Sequence, residues 1–303
     1  TSGRSPAVKR ARSPSRRSAS FMKLGARARE VRARPGPTPR RRAGEARDAI
    51  LAGQPDAAVE VLPLDLASLD SVRRFARDFA SLHPVLDLLC NNAGVMAIPY
   101  RKTADGFEMQ IGTNHLGHFA LTAALLPQLL AAPAARVVNV SSTFHKVGRI
   151  DFDDLHGERR YRKWGAYGQS KLANLLFTYE LQRRLERAGA PAISVACHPG
   201  YAATNLQTAG ARMAGSALME AVMQLGNRLL SQPAEMGALP TLYAATAPEV
   251  RGGDYIGPDG FFENSGYPRK TQSSARSHDR EAAGLLWEMS EQLTGFAFAE
   301  LGR

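Results

Sequence analysis

Three short apolar runs, each breaking into small polar or turn-forming residues, constrain the fold of this chain most. Val85 to Cys90 breaks into Asn91-Asn92-Ala93-Gly94, Arg136 to Val140 into Ser141-Ser142, and Ile193 to Cys197 into His198-Pro199-Gly200. Runs this short and this apolar match strands buried on both faces, as in a parallel sheet covered by helices. Between them lie longer stretches of helical character. Residues from about 114 to 131 are mostly apolar, and 165–187 puts Leu172, Leu175, Leu176 and Tyr179 on one stripe. Glu180, Arg183, Arg184 and Arg187 fall outside that stripe. Ser68 to Leu82 sets Val72, Phe75 and Phe79 on one face, with Ser68 placed to cap the N-terminus. Ala57 to Asp65 alternates like a further strand and turns at Pro63-Leu64-Asp65. This alternation predicts an α/β fold, a doubly wound, Rossmann-like parallel sheet. Ligands bind such a sheet along its carboxyl edge, where these runs end.

One predicted helix carries Tyr167 and Lys171, four residues apart and so one above the other on a single face. A nearby ammonium favours the phenolate, and a hydroxyl of ordinary pKa about 10 can then exchange protons near neutrality. The spacing alone is common by chance. Here it follows Asn114, at the start of an apolar helix, and the hydroxyls of Ser141 and Ser142 at a strand end. Strand alternation sends those two side chains to opposite faces.

Taken in order, Asn91-Asn92-Ala93-Gly94, Asn114, Asn139-Val140-Ser141-Ser142, Tyr167 with Lys171, and Pro199-Gly200 resemble the short-chain dehydrogenases/reductases. Asn114 to Phe119, Tyr167 to Asn174 and His198 to Ala202 are most similar to the retinol-dehydrogenase-like branch. The likeness runs from about Gly44 to Phe298. It implies hydride exchange between NAD or NADP and a carbonyl or alcohol of an apolar small molecule, retinoid-, steroid- or lipid-like. It implies that Tyr167 gives or takes the proton and that Ser142 bonds the substrate oxygen. Lys171 would lower the tyrosine pKa and hold the nicotinamide ribose, and Asn114 would order a water relaying protons to Lys171. Asp65, with Leu66 beside it, would lie at the adenine, although a turn-capping aspartate is the alternative. Asn91, Ala93 and Gly94 would flank the adenosine, with Asn91 also steadying the sheet. Pro199 and Gly200 would border the nicotinamide, and Thr204 would touch its carboxamide.

The first part of the chain departs from that pattern. The family opens with a strand, a Thr-Gly-x-x-x-Gly-x-Gly turn, a helix and a second strand, and the turn admits the pyrophosphate. Before position 50 the glycines are Gly3, Gly25, Gly36 and Gly44, none at that spacing and none preceded by a Val/Ile-rich run. The expected sheet therefore lacks its first βαβ unit. Residues 1–43 are mainly Arg, Ser, Pro, Ala and Gly, a composition that predicts disorder. An out-of-frame stretch, a genuine basic tail, or an unrecognised cofactor clamp would each account for them, and the dehydrogenase domain is expected over 44–303. Residues 1–48 hold 15 Lys or Arg against three acids, so the net charge of +11 sits there and the body is about neutral. Arg40-Arg41-Arg42 lies close to where a phosphate-binding arginine would occur, a slight lean to NADP. The alternative function is a catalytically impaired homologue that binds acidic surfaces through its tail. Nucleic-acid binding by that tail is the weaker form of this reading.

Cys90 and Cys197 lie in core strands and read as free thiols of a reducing compartment, hence a cytoplasmic expectation. No stretch reaches the ~18 uninterrupted apolar residues of a membrane span. Asp151 to His156 lacks a ligand pattern, so no metal is expected, and His115, His118 and His145 read as structural. The methionine-rich stretch over 201–235 reads as core helices or as a cover for an apolar substrate. A helix over 234–246, a last strand near 254–256 and a helix around 281–293 complete the pattern, with a homo-oligomer left open.

Overall fold

The computed structural model describes residues 39–200 and 233–302. Among these residues one sheet has the order β1-β2-β3-β4-β5. Its strands are β1 (Leu88–Asn91), β2 (Arg136–Val140), β3 (Ile193–Cys197), β4 (Tyr255–Pro258) and β5 (Pro268–Thr271). The first four run parallel, in register Leu88 with Arg136, Arg136 with Ile193, and Cys197 with Ile256. β5 closes the far side antiparallel to β4, pairing Tyr255 with Thr271 and Pro258 with Pro268.

Helices cover both faces, and side-chain alternation shows which goes where. Asn139 reaches Thr178 of the long helix α6 (Lys163–Arg187), whereas Cys197, level with Val140, meets Thr241 of α7 (Ala234–Thr246). Neighbouring positions on a strand face opposite ways, so α6 and α7 lie on opposite faces. The remaining helices are α1 (Pro39–Gly53), α2 (Leu69–Leu82), α3 (Met109–Ile111), α4 (Gly117–Ala124), α5 (Leu126–Leu130) and α8 (Arg280–Thr294). Ser68 caps α2 as expected, its hydroxyl accepting from the Ser71 N–H at 3.3 Å. α8 lies across α6, with Trp287 among Phe119, Phe177 and Phe298 at ring separations of 4.5–5.8 Å. Burying such rings contributes about 1.5–3 kcal/mol each.

The sequence reading needs correction in four places. Residues 57–65 form no sheet pairing, although Leu62 and Leu64 pack against the core. A strand needs a hydrogen-bonding neighbour, and β1 is the first strand in the order. Helix α1 begins at Pro39, inside the segment expected to be disordered; proline is tolerated in a first helical turn, and Ala43 is buried. Glu180 does not face solvent: it is buried in a fork of Arg183 (2.6 Å) and Arg184 (2.8 Å), and Arg184 lies over Trp287. β5 was missed, because its Pro-Arg-Lys-Thr sequence is half-exposed and carries no apolar run.

Candidate active site

The carboxyl ends of β1, β2 and β3 bring the expected residues together. Beyond β2 the ladder continues one step, with the Ser141 N–H donating to Cys197 O at 2.7 Å. Ser141 then turns its hydroxyl to the Lys171 carbonyl of α6, 2.8 Å away, and is spent on structure. Ser142 is extended and heads a short 3-10 turn, its hydroxyl accepting from the Phe144 N–H. That hydroxyl also acts on Tyr167, favouring its phenolate form. His145 secures the same turn: its Nδ1 donates to Ser142 O (2.6 Å) and its Nε2 accepts from the Ser274 N–H (3.1 Å).

Tyr167 and Lys171 are both buried on α6. The Lys171 ammonium sits 5.9 Å from the Tyr167 ring centre and donates to Val140 O at 2.9 Å. Burial pushes the phenol up to about 12, opposed by Ser142, and pulls the ammonium down to about 8. The phenol thus lies above rather than below its ordinary value, because desolvation outweighs the opposing influence of Ser142. At neutral pH Tyr167 is a protonated phenol, set as a proton donor.

Asn114 enters from a π-helical turn, Gly112–Leu116, wedged between α3 and α4. Its side chain is fully committed: Oδ1 accepts from the Val95 N–H (2.8 Å), and Nδ2 donates to Val95 O and to Ser170 Oγ (both 2.9 Å). Its carbonyl accepts from His118 Nδ1 at 2.9 Å. Asn114 therefore pins the segment after β1 against α6. Gly94 lies in that segment, where an added Cβ would come 2.8 Å from Asn114 Oδ1 and 3.8 Å from Lys171 Nζ. Asn91 steadies the sheet as expected, donating to Thr122 Oγ1 and Asn139 Oδ1. Ala93 is half-buried beside it.

Pro199 and Gly200 follow β3 at the same edge, with Gly200 at φ +64° against the Asn264 carbonyl. Asp65 is exposed, and its carboxylate accepts from the Ala67 N–H at 2.9 Å, the turn-capping alternative. Leu66 is buried, with its carbonyl close against Gly117 at the start of α4. Arg41 pairs with Glu45 on the surface of α1 (3.3 Å), so the structure adds nothing to the NADP lean. Thr204 and most of the methionine-rich stretch lie outside the described residues. Ser170 and the rings of Phe144 and Trp164, which flank Tyr167, carry no role in the sequence reading, whereas His145, read as structural, secures the Ser142 turn. Ser170 and Trp164 stand three positions either side of Tyr167, a spacing that could have found them.

The other histidines are structural. Burial holds His115 down at about 3 and His118 at about 4; His115 bonds Ser290 of α8. In the Asp151–His156 segment, Asp154 accepts the N–H groups of Glu158, Arg159 and Arg160, and His156 stacks on Phe107. Cys90 and Cys197 are free, and burial raises their thiols to about 12 and 11.

The residues present fit one half of a nicotinamide dinucleotide. An ammonium carries three donors, and Lys171 has Val140 O as its hydrogen-bond acceptor among the described residues. Its remaining N–H groups, beside the Gly94 backbone, suit ribose hydroxyls. Among the described residues no glycine-rich turn opens a helix beside β1 to take the pyrophosphate.

The family model for short chain dehydrogenase matches residues 40–214. This chain is a short-chain dehydrogenase. Membership places it among NAD(P)-dependent oxidoreductases of the alcohol dehydrogenase type. It is 46% identical over 240 residues to a mouse (Mus musculus) polyprenol dehydrogenase, covering 77% of this chain and 68% of that one. Human (Homo sapiens) retinol dehydrogenase 14 is 42% identical over 237 residues, covering 78% of this chain and 66% of that one. The chain thus spans about two thirds of the length of these relatives. A crystal structure of an uncharacterized protein from Mycobacterium paratuberculosis matches with TM-score 0.66 and 44% identity over 91% of each chain. A Pseudomonas aeruginosa protein solved as an NADP active-site complex shares the fold, with TM-score 0.53 and 23% identity over 73% of this chain and 82% of that one.

Proposed function

We propose that this short-chain dehydrogenase exchanges hydride between NAD or NADP and the carbonyl or alcohol group of an apolar, retinoid-, steroid- or lipid-like molecule. The observation that carries this reading is the buried pair on α6, with the Lys171 ammonium 5.9 Å from the Tyr167 ring and tied to Val140 O at the end of the strand that leads into Ser142. Ser142 holds the substrate oxygen against the Tyr167 hydroxyl, and Tyr167 passes its proton to that oxygen as negative charge develops there. In the reverse direction Tyr167 takes the alcohol proton. Lys171 holds the ribose hydroxyls and stabilises the phenolate once the proton has left. The nicotinamide, when bound, supplies or accepts the hydride. Asn114 fixes Gly94 and Val95, which border the same space. The apolar substrate class is supported by the relatives named for retinol and polyprenol, and by Phe144 and Trp164 flanking Tyr167.

The test is retinol oxidation with NAD and with NADP, read by absorbance of the reduced cofactor. Tyr167→Phe should lower kcat by about 10²–10⁴-fold while the melting temperature holds. Undiminished turnover in that variant would overturn the mechanism. The absence of a glycine-rich turn beside β1 among the described residues favours a second reading, a binding protein of impaired activity; failure of the wild-type chain to bind either cofactor would favour it.

A further inference from the structure

Exposed rings gather where the site opens. Phe261 is 82% exposed, Phe262 76%, Tyr267 68% and Val147 68%, with Trp164 at 40%. Large apolar side chains this exposed mark a surface that meets another phase or molecule. They belong to one face. Phe144 stacks on Trp164 at 4.9 Å, and both rings lie edge-on to Tyr167. The turn holding Phe144 and Val147 is tied to the turn holding Phe261 and Phe262 by Lys146 and Glu263, 3.1 Å apart.

The second turn is strained in order to present its rings. Phe262 (φ +52°) and Glu263 (φ +59°) both occupy the left-handed region, uncommon for non-glycine residues and costly for bulky ones. Glu263 holds that conformation from below, taking Lys146 and the Thr271 hydroxyl and lying 3.4 Å from the buried His198. The rings of Phe261 and Phe262 are left packed on each other, facing outward.

Exposed cations lie beside the rings. Arg162 and Lys163 precede Trp164 and Arg149 follows Val147, all three exposed. The carboxylates on the same turns are engaged: Glu263 as above, and Asp259 in accepting the Tyr267 N–H at 2.8 Å. We propose that this face docks on an anionic lipid bilayer, with Phe261, Phe262 and Trp164 entering the interface and the cations meeting headgroups. Aromatic rings interleaved with Lys and Arg suit that boundary, since the rings bury while the cations stay at the headgroup level. The chain's own stretch 201–232, with Arg212 and Arg228 against Glu220, offers these cations no counter-charge. A second copy would set like charges against each other. The surface stands whether or not Tyr167 turns over substrate.

The experiment is co-sedimentation of the full chain with phosphatidylcholine vesicles, with and without phosphatidylserine, and with brominated phosphatidylcholine to quench tryptophan. The chain has two tryptophans, and Trp287 is buried on the inner side of α8, so quenching reports Trp164. Sedimentation that requires phosphatidylserine, together with partial quenching, is the expected result. Phe261→Ser combined with Phe262→Asn, the asparagine suiting positive φ, should weaken vesicle affinity about tenfold or more. Arg162→Glu with Lys163→Glu should remove much of the phosphatidylserine dependence. Leu82→Ser, on the exposed side of α2, should change neither. Unchanged affinity in the phenylalanine variant would mean that residues 1–43 hold the vesicle, overturning the proposal. Sedimentation without Trp164 quenching, no sedimentation, or a dimer that the phenylalanine variant dissociates would overturn it equally.

Discussion

Lys171 and Asn174 share one acceptor, the Val140 carbonyl, at 2.9 and 3.2 Å. That carbonyl ends β2 one residue before the serine pair, so Lys171 is fixed directly to the strand that delivers Ser142. The network continues away from the site. Thr178 donates to Asn174 O, Asn139 to Thr178 Oγ1, and Asn91 to Asn139 Oδ1, crossing from α6 to β1.

Lys171 should leave a signature in stability against pH. Its folded pKa, about 8, lies below the unfolded value of about 10.4. Between those values the unfolded chain binds more protons, so stability rises with pH as the burial penalty is relieved. Tyr167, raised to about 12, acts oppositely only above its unfolded pKa of about 10. Melting curves of wild type and Lys171→Met should therefore diverge in wild type's favour from pH 8 towards 10. A constant difference across that range would show that the ammonium is not desolvated.

Asn114→Ala should cost about 1–3 kcal/mol, because the Val95 N–H and carbonyl lose their partner. Freed from that clamp, Gly94 would move, and cofactor KM should rise more than kcat falls. Titration calorimetry with NADH and NADPH checks this; unchanged affinity would separate Asn114 from the cofactor side.

Two glycines allow a controlled comparison. Gly200 (φ +64°) and Gly253 (φ +80°) share a left-handed backbone, yet only at Gly200 would a Cβ strike a neighbour, the Asn264 carbonyl. Gly253→Ala should cost about 1–2 kcal/mol from backbone strain alone. Gly200→Ala should cost clearly more by urea unfolding; equal losses would mean that the Asn264 turn yields freely.

The buried histidines set the acid limit. His115, His118 and His145, held down at about 3, 4 and 4, are neutral in the fold and must be protonated on unfolding. Their contribution is complete above about pH 6.5 and is lost as pH falls towards 4. His145→Gln should flatten the melting profile over that window; an unchanged slope would exclude His145 as a source.

Much of this site was legible because it rests on local spacing. Tyr167 and Lys171 announce themselves by helical period, and β1, β2 and β3 by apolar runs ending in small residues. What stayed hidden depends on partners distant in sequence. The Asn91–Asn139–Thr178–Asn174 network joins four ordinary polar residues that become meaningful only once β1, β2 and α6 are adjacent. β5 has no buried face to give it a period, and residues 57–65 have the period of a strand without adopting one. The direction of the Tyr167 shift was also hidden, because burial is a property of the packed site.

The widened turn at Gly112–Leu116 amounts to one surplus residue inside a helix, recorded in the Gly117 N–H reaching back five positions to Gly112. Removing that surplus by deleting Thr113 would restore ordinary winding and rotate the preceding segment by about 100° relative to α4. Asn114 could then no longer face both Val95 and Ser170. A single codon therefore separates the Asn114 clamp between Val95 and Ser170 from an ordinary helix.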